Sequence, residues 1–417
     1  MHAMTRFITF TTPGFLGGAT GTSEWRALSL KGVLRFWWRV VHAQQEQFDV
    51  GRLREQEGLL WGHSFPEHGL PSGKRKVWPL RGRVRISLTP VEPESFSGTM
   101  PSLFIGKRKV HHPWLGESQA PEGATFGREV DALLYLGYGP VTARGLKNAP
   151  AMQPGQAARL CLWWFARTHD DAHAQVEKTL EALNLFGCVG GKSRNGWGSV
   201  RVSTALDEPP WSREDLLRRV REFAHSYSQD LDECLSNDWC HALASSQGKL
   251  CVWYCPQTFP SWEEALQAIA EIKISVVTKL GHQGELPELA ANTDGMESGR
   301  DVYPENAQIT TRHILSYPVT NHGVAGWVLE RGGKPVRDKS GRLRQNERLA
   351  NQLRFKVHVI QEQGRRRLLP MAFHLAHRLP EALAGKLDPK QREAVRTSEP
   401  RVWERVYQVL SQHWVQL

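Results

Sequence analysis

The sequence predicts an α+β protein of two tandem ferredoxin-like domains, on three observations. Strand and helix patterns follow one another as strand, helix, strands, helix, strand through the first half of the chain. The same outline, with antiparallel hairpins, recurs in the second half. A long glycine-rich loop separates the last helix of the first half from its last strand. At 417 residues the chain is about two to three average domains long. Its 40% hydrophobic and 23% charged content is that of a globular protein, which excludes a disordered chain or a small disulfide-stapled scaffold.

Residues 6–10 read as a short strand ended by Thr11-Thr12-Pro13-Gly14, where proline and glycine stop regular pairing. After the loop Phe15-Leu16-Gly17-Gly18-Ala19, Ser29 opens a helix whose Leu30, Leu34, Trp37 and Val41 share one face. Residues 72–110 are rich in turns and in cations. They carry Lys74-Arg75-Lys76, then Arg81, Arg83 and Arg85 alternating with Gly82, Val84 and Ile86, then Lys107-Arg108-Lys109. The alternation predicts a strand with one basic face.

A strand at 158–165 and a helix at 172–186, with Val176, Leu180 and Leu183 in register, lead to the loop Gly187 to Gly198 and a strand at 199–203. A boundary at 207–210 then divides the chain into an N-terminal domain, 1–206, and a C-terminal domain, 207–417. The second holds helices at 212–227 and 262–280, strands at 249–254, 348–360 and 367–374 with a turn at Gly364, helical insertions, and a basic loop near 331–345.

Charge is distributed unevenly. Residues 1–205 hold 25 Lys/Arg against 16 Asp/Glu, and 206–417 hold 28 against 27, so nearly all of the net +10 is N-terminal. Within the second half, 206–330 has 9 basic and 19 acidic residues, and 331–378 has 13 and 3. A positive field over a defined region concentrates polyanions, which makes nucleic acid the expected partner class. The acidic zone is suited to protein. No run approaches the roughly twenty apolar residues of a membrane span. The N-terminus lacks a secretory pattern, and six sparse cysteines read as reduced thiols, so a cytoplasmic protein is expected.

Two constellations carry chemistry. Lys31, Arg35 and Arg39 recur every four residues and form one cationic row on their helix. In the loop, Gly190 and Gly191 free the backbone for close approach, Lys192 and Arg194 add charge, and Trp197 offers a stacking surface for a base, a combination suited to a sugar–phosphate strand. A nucleotide-binding P-loop is excluded, because Phe186 stands where that motif needs glycine and because helix runs into strand here. Cys234, Cys240, Cys251 and Cys255 with His241 contain no C-x-x-C pair, so no metal and no cofactor is expected. Of the histidines, His42, His63, His111 and His112 are acid–base candidates outside any recognisable catalytic spacing.

The run from Gly14 to Ala19, followed by Arg26 and by Ser29-Leu30-Lys31-Gly32-Val33-Leu34-Arg35-Phe36-Trp37-Trp38-Arg39, resembles the N-terminal signature of one RAMP subunit of CRISPR effectors, the first subunit of the type III-B (Cmr) complex. The loop from Gly190 to Ser199, through Ser193 and Asn195, is similar to the glycine-rich loop of the RAMP superfamily. Weaker likeness extends to 314–318 and to 348–356, with Asn351-Gln352 where Ser-Pro is more usual. The resemblance implies two RRM-like folds that bind the 3′ region of guide crRNA and its duplex with target RNA at the head of the assembly, beside other RAMP subunits. It implies antiviral defence and no catalysis by this chain. It also adds Arg26, Ser193 and Asn195 to the RNA-binding set. Two alternatives stand beside it: a metal-independent CRISPR RNA endonuclease with a histidine such as His42 as base, and a protein scaffold acting through the acidic zone.

Overall fold

Helices and antiparallel sheets interleave along the chain, as an α+β protein requires. The computed structural model describes residues 2–17, 23–63, 80–91, 103, 105–112, 128–147, 151–165, 171–280, 309–317, 323–331, 334–337, 344 and 346–417. Gly18, Ala19, the Lys74-Arg75-Lys76 run and much of the 331–345 loop lie outside them. The chain divides into two units. The first comprises Met1–Leu103, Gly145–Tyr227 and Lys356–Leu368, and the second Phe104–Arg144, Ser228–Phe355 and Leu369–Leu417.

The first unit is built on β1 (His2–Phe10), β2 (Arg85–Val91), β3 (Ala157–Trp164) and β4 (Val200–Ser203), in the order β4-β1-β3-β2 with every neighbouring pair antiparallel. Met4, Ile8 and Phe10 of β1, and Leu160, Leu162 and Trp164 of β3, are buried and share one face by the period of two. Helix α1 (Ala27–His42) connects β1 towards β2, followed by α2 (Val50–Trp61), and α3 (Ala172–Phe186) connects β3 to β4. Leu30, Leu34, Trp37 and Val41 of α1 are buried, as are Val176, Leu180 and Leu183 of α3. Burying each such side chain contributes roughly 1.5–3 kcal/mol. An exposed ion pair such as Lys178–Glu181 contributes less than about 1 kcal/mol, so the apolar stripes hold these helices in place. Helix α4 (Arg213–Ser226) is capped by Ser212, whose Oγ accepts from the Asp215 N–H at 3.0 Å.

One sequence expectation is corrected here. Arg81, Arg83 and Arg85 do not lie on one continuous strand, because Leu80–Arg81 pairs with Gly62–His63 at the end of α2 and β2 begins only at Arg85. The Val84 N–H donates to Leu60 O at 3.0 Å, which fixes the crossing between the two ladders.

The second unit holds β5 (Val252–Tyr254), α5 (Trp262–Lys279), α6 (Pro389–His413) and β8 (Val415–Gln416). A hairpin of β6 (Leu353–Glu362) and β7 (Arg365–His374) gives the sheet order β6-β7-β5-β8. Residues 356–368 of the hairpin are assigned to the first unit and its base to the second. Its two-residue turn takes positive φ at Gln363 (50°) and Gly364 (75°), the type I′ pattern that matches strand twist. The expected strand at 249–254 is two pieces, Lys249–Leu250 and Val252–Tyr254. Helix α6, which the sequence pattern did not single out, starts at Asp388, whose carboxylate accepts from the Gln391 N–H at 2.9 Å, with Pro389 in its first turn.

Candidate nucleic-acid interface

The glycine-rich loop lies against the segment that leaves β1. The Gly191 N–H donates to Phe15 O at 2.9 Å, the Gly198 N–H to Pro13 O at 2.8 Å, the Val189 N–H to Gly198 O at 2.7 Å and the Asn195 N–H to Lys192 O at 2.9 Å. These amides are engaged within the protein, so the expected cradle of exposed glycine N–H groups is not formed by them. The glycines serve close packing instead. A Cβ on Gly190 would lie 2.8 Å from Phe15 O, and one on Gly198 2.0 Å from Val189 O, and both residues have positive φ. Trp197 is also corrected: it has no exposed surface and packs against the Phe15 ring, 4.9 Å between centroids, so it offers no face to a base. Its neighbours differ. Lys192, at φ 57°, and Arg194 are exposed at the tip, with Ser193 and Asn195 half-buried.

A lysine from far along the chain fastens both ends of this loop. Lys356 is 1% exposed, and its Nζ donates to Leu183 O at 2.9 Å, Gly187 O at 2.6 Å and Val200 O at 2.9 Å. Two of these carbonyls close α3 and the third opens β4, so one ammonium holds the entry and exit of the loop and meets the negative end of the helix. Burial draws its pKa down to about 7. No local signal at Lys356 reveals this role, since its partners are more than 150 residues away.

The cationic row of α1 is present but divided. Glu57 of α2, its side chain 3% exposed, accepts from Arg35 Nε at 2.5 Å and from Arg39 Nη1 at 2.9 Å. The sequence row therefore has an acidic partner from another helix, which holds both Arg35 and Arg39. Lys31 faces other cations, and its pKa is lowered first by burial and then by Arg35 and Arg85. Lys31 and Arg35 line an open cleft of about 300 Å³ together with His63, Arg81 and Arg85. Gly82 lets its floor form, since a Cβ there would lie 2.4 Å from the Trp61 backbone. The sequence shows each arginine but not that they meet, because the Gly62–Arg81 pairing is non-local.

Arg26 connects loop and row. Its Nη1 donates to Gly17 O at 3.1 Å, two residues beyond the Phe15–Gly191 bridge. From Arg26, Lys31 lies about 7.5 Å and Arg35 about 13.5 Å further along the helix axis.

The histidine considered as a base has no access to substrate. His42 is 6% exposed, stacked on Trp38 at 4.4 Å with Nδ1 2.9 Å from Trp38 O, and burial lowers its pKa. In the second unit Cys234 and Cys251 are buried. Burial raises the pKa of Cys251 to about 12 and that of Cys234 further still, which keeps both as thiols. No helix among the described residues is long and apolar enough to cross a membrane.

No curated protein matches the chain. Among solved structures, Cmr1 from Pyrococcus furiosus in its apo form is similar over 90% of this chain and 89% of that one, at 15% identity and a TM-score of 0.41. A chain of a type IV-B CRISPR complex is similar over 48% of this chain and 90% of its own length, at 12% identity and a TM-score of 0.25. The stretch that carries α1, the cleft and the glycine-rich loop, residues 7–201, matches the RAMP superfamily.

Proposed function

We propose that the protein is a non-catalytic RNA-binding subunit of a CRISPR effector of the type III-B (Cmr) kind. It binds the 3′ region of guide crRNA and its duplex with target RNA at the head of the assembly, in the cytoplasm, as part of antiviral defence. Its other partners are the RAMP subunits of head and backbone. Each half of the chain, 1–206 and 207–417, is read as a ferredoxin-like domain, a reading supported by sheet orders that correspond strand for strand, β4-β1-β3-β2 and β8-β5-β7-β6. The observation that carries the functional reading is the coincidence of the RAMP match with the cations Arg26, Lys31, Arg35, Lys192 and Arg194. In this reading Gly190, Gly191, Ser193, Asn195 and Trp197 shape the loop that presents Lys192 and Arg194, and Arg39 braces α1 through Glu57.

The test is a salt titration of guide RNA binding. Lys192→Ala with Arg194→Ala should weaken binding and reduce the slope of log affinity against log salt by about 0.7 for each phosphate of a single strand that the protein no longer neutralises. An unchanged slope would refute the role of the loop tip.

A further inference from the structure

We infer that the cleft between α1 and the Gly62–Arg81 ladder is a sequence-independent phosphate site for the RNA strand, with Arg81 and Arg85 as its principal ligands. The inference rests on the RNA-binding reading and adds residues that the loop and the helix row do not contain. Four cations, Lys31, Arg35, Arg81 and Arg85, border about 300 Å³ of open space, enough for about one nucleotide. Among the described residues no carboxylate pairs with Lys31, Arg81 or Arg85, so Glu57 on Arg35 is the one anion that offsets the group. Gathering four like charges around one counterion is unfavourable, and the pKa of Lys31 is lowered first by burial and then by Arg35 and Arg85. An anion entering the cleft relieves that repulsion, and guanidinium forks match phosphate oxygens.

The cleft reads phosphate and sugar, not bases. Among the described residues His63 is the one ring on its walls, and its floor is the backbone of Gly62 and Gly82. That floor is fixed by ladder pairing of Gly62 with Arg81 and His63 with Leu80, and by the Val84–Leu60 hydrogen bond. The arginines are therefore carried on paired backbone. A strand is favoured over a free nucleotide because the cleft is open and, among the described residues, sets four cations against a single ring that could grip a base.

The experiment uses the full-length chain and fluorescein-labelled 20-nucleotide RNAs of two unrelated sequences, titrated by polarisation at several salt concentrations. Arg81 and Arg85 are exposed, so Arg81→Ala/Arg85→Ala should keep the fold, checked by its urea midpoint. Expected are a loss of about tenfold in affinity, equal for both sequences, and a slope lower by about 1.4. Arg81→Lys/Arg85→Lys should restore most of the slope. Unchanged affinity and slope in the alanine pair, while Lys192→Ala/Arg194→Ala lowers both, would overturn the cleft and leave the RNA-binding reading standing. Absent or salt-independent binding by the wild type would overturn that reading and the cleft with it. A loss confined to one RNA sequence would overturn sequence independence, and displacement of RNA by micromolar adenosine monophosphate would overturn the strand in favour of a nucleotide pocket. Inorganic phosphate should compete only at millimolar levels.

Discussion

Two regions of the first unit carry glycine beside cation, and they use the pairing differently. In the 187–198 loop the glycines let two stretches of backbone touch, their amides are engaged by Phe15 and Pro13, and Lys356 seals the ends. In the cleft the glycines make a floor and leave Arg81 and Arg85 exposed above it. Glycine with lysine in sequence thus identifies a close backbone approach, and only the hydrogen-bond partners decide whether a ligand or the protein itself makes that approach.

The sharpest way to break this contrast is Gly198→Ala. A Cβ 2.0 Å from Val189 O, at φ 67°, should cost about 4 kcal/mol in urea denaturation. Retention of full stability would mean the loop is not packed as described. Next in size is Lys356→Met, which leaves three buried carbonyls without their donor and should cost about 3 kcal/mol. Its pH dependence is distinctive. With a folded-state pKa near 7 against an ordinary 10.5, the unfolded chain keeps a proton that the folded chain sheds between those values. Wild-type stability relative to Lys356→Met should therefore be flat below pH 7 and rise above it, by about 1 kcal/mol between pH 7 and 8. A difference that falls over that range would contradict the burial of the ammonium.

The parts legible in the sequence are those written in local period. Helix α3, expected at 172–186, is found at Ala172–Phe186, and the four-residue stripe of α1 is its buried face. The loop's position between helix and strand is legible for the same reason. What stays hidden depends on partners distant in sequence: Glu57 on Arg35 and Arg39, the ladder that redirects Arg81, and Lys356 on the loop. The aromatic at Trp197 misleads because a tryptophan beside cations reads the same whether it faces solvent or core. Its burial beneath Phe15 is set by the Gly191–Phe15 bridge.

Smaller effects sharpen the comparison from the cleft side. Glu57→Gln should destabilise the fold by about 2 kcal/mol yet strengthen RNA binding severalfold and steepen its salt slope, because Arg35 and Arg39 lose their buried counterion. Weaker RNA binding by a folded Glu57→Gln protein would show that the clamp, not the charge, serves the site. Smallest is Trp197→Phe, which should cost about 1 kcal/mol in a core of this kind and leave RNA affinity unchanged. A tenfold loss of affinity with the fold intact would return Trp197 to the interface.

The central claim is that RNA lies along α1 into the cleft, and lysine acetylation footprinting of the full-length protein with and without guide RNA tests it most directly. Protection of Lys31 and Lys192, with Lys249 of the second unit acetylated at the same rate in both samples, is the predicted result. Equal labelling of Lys31 in the free and RNA-bound protein would contradict it.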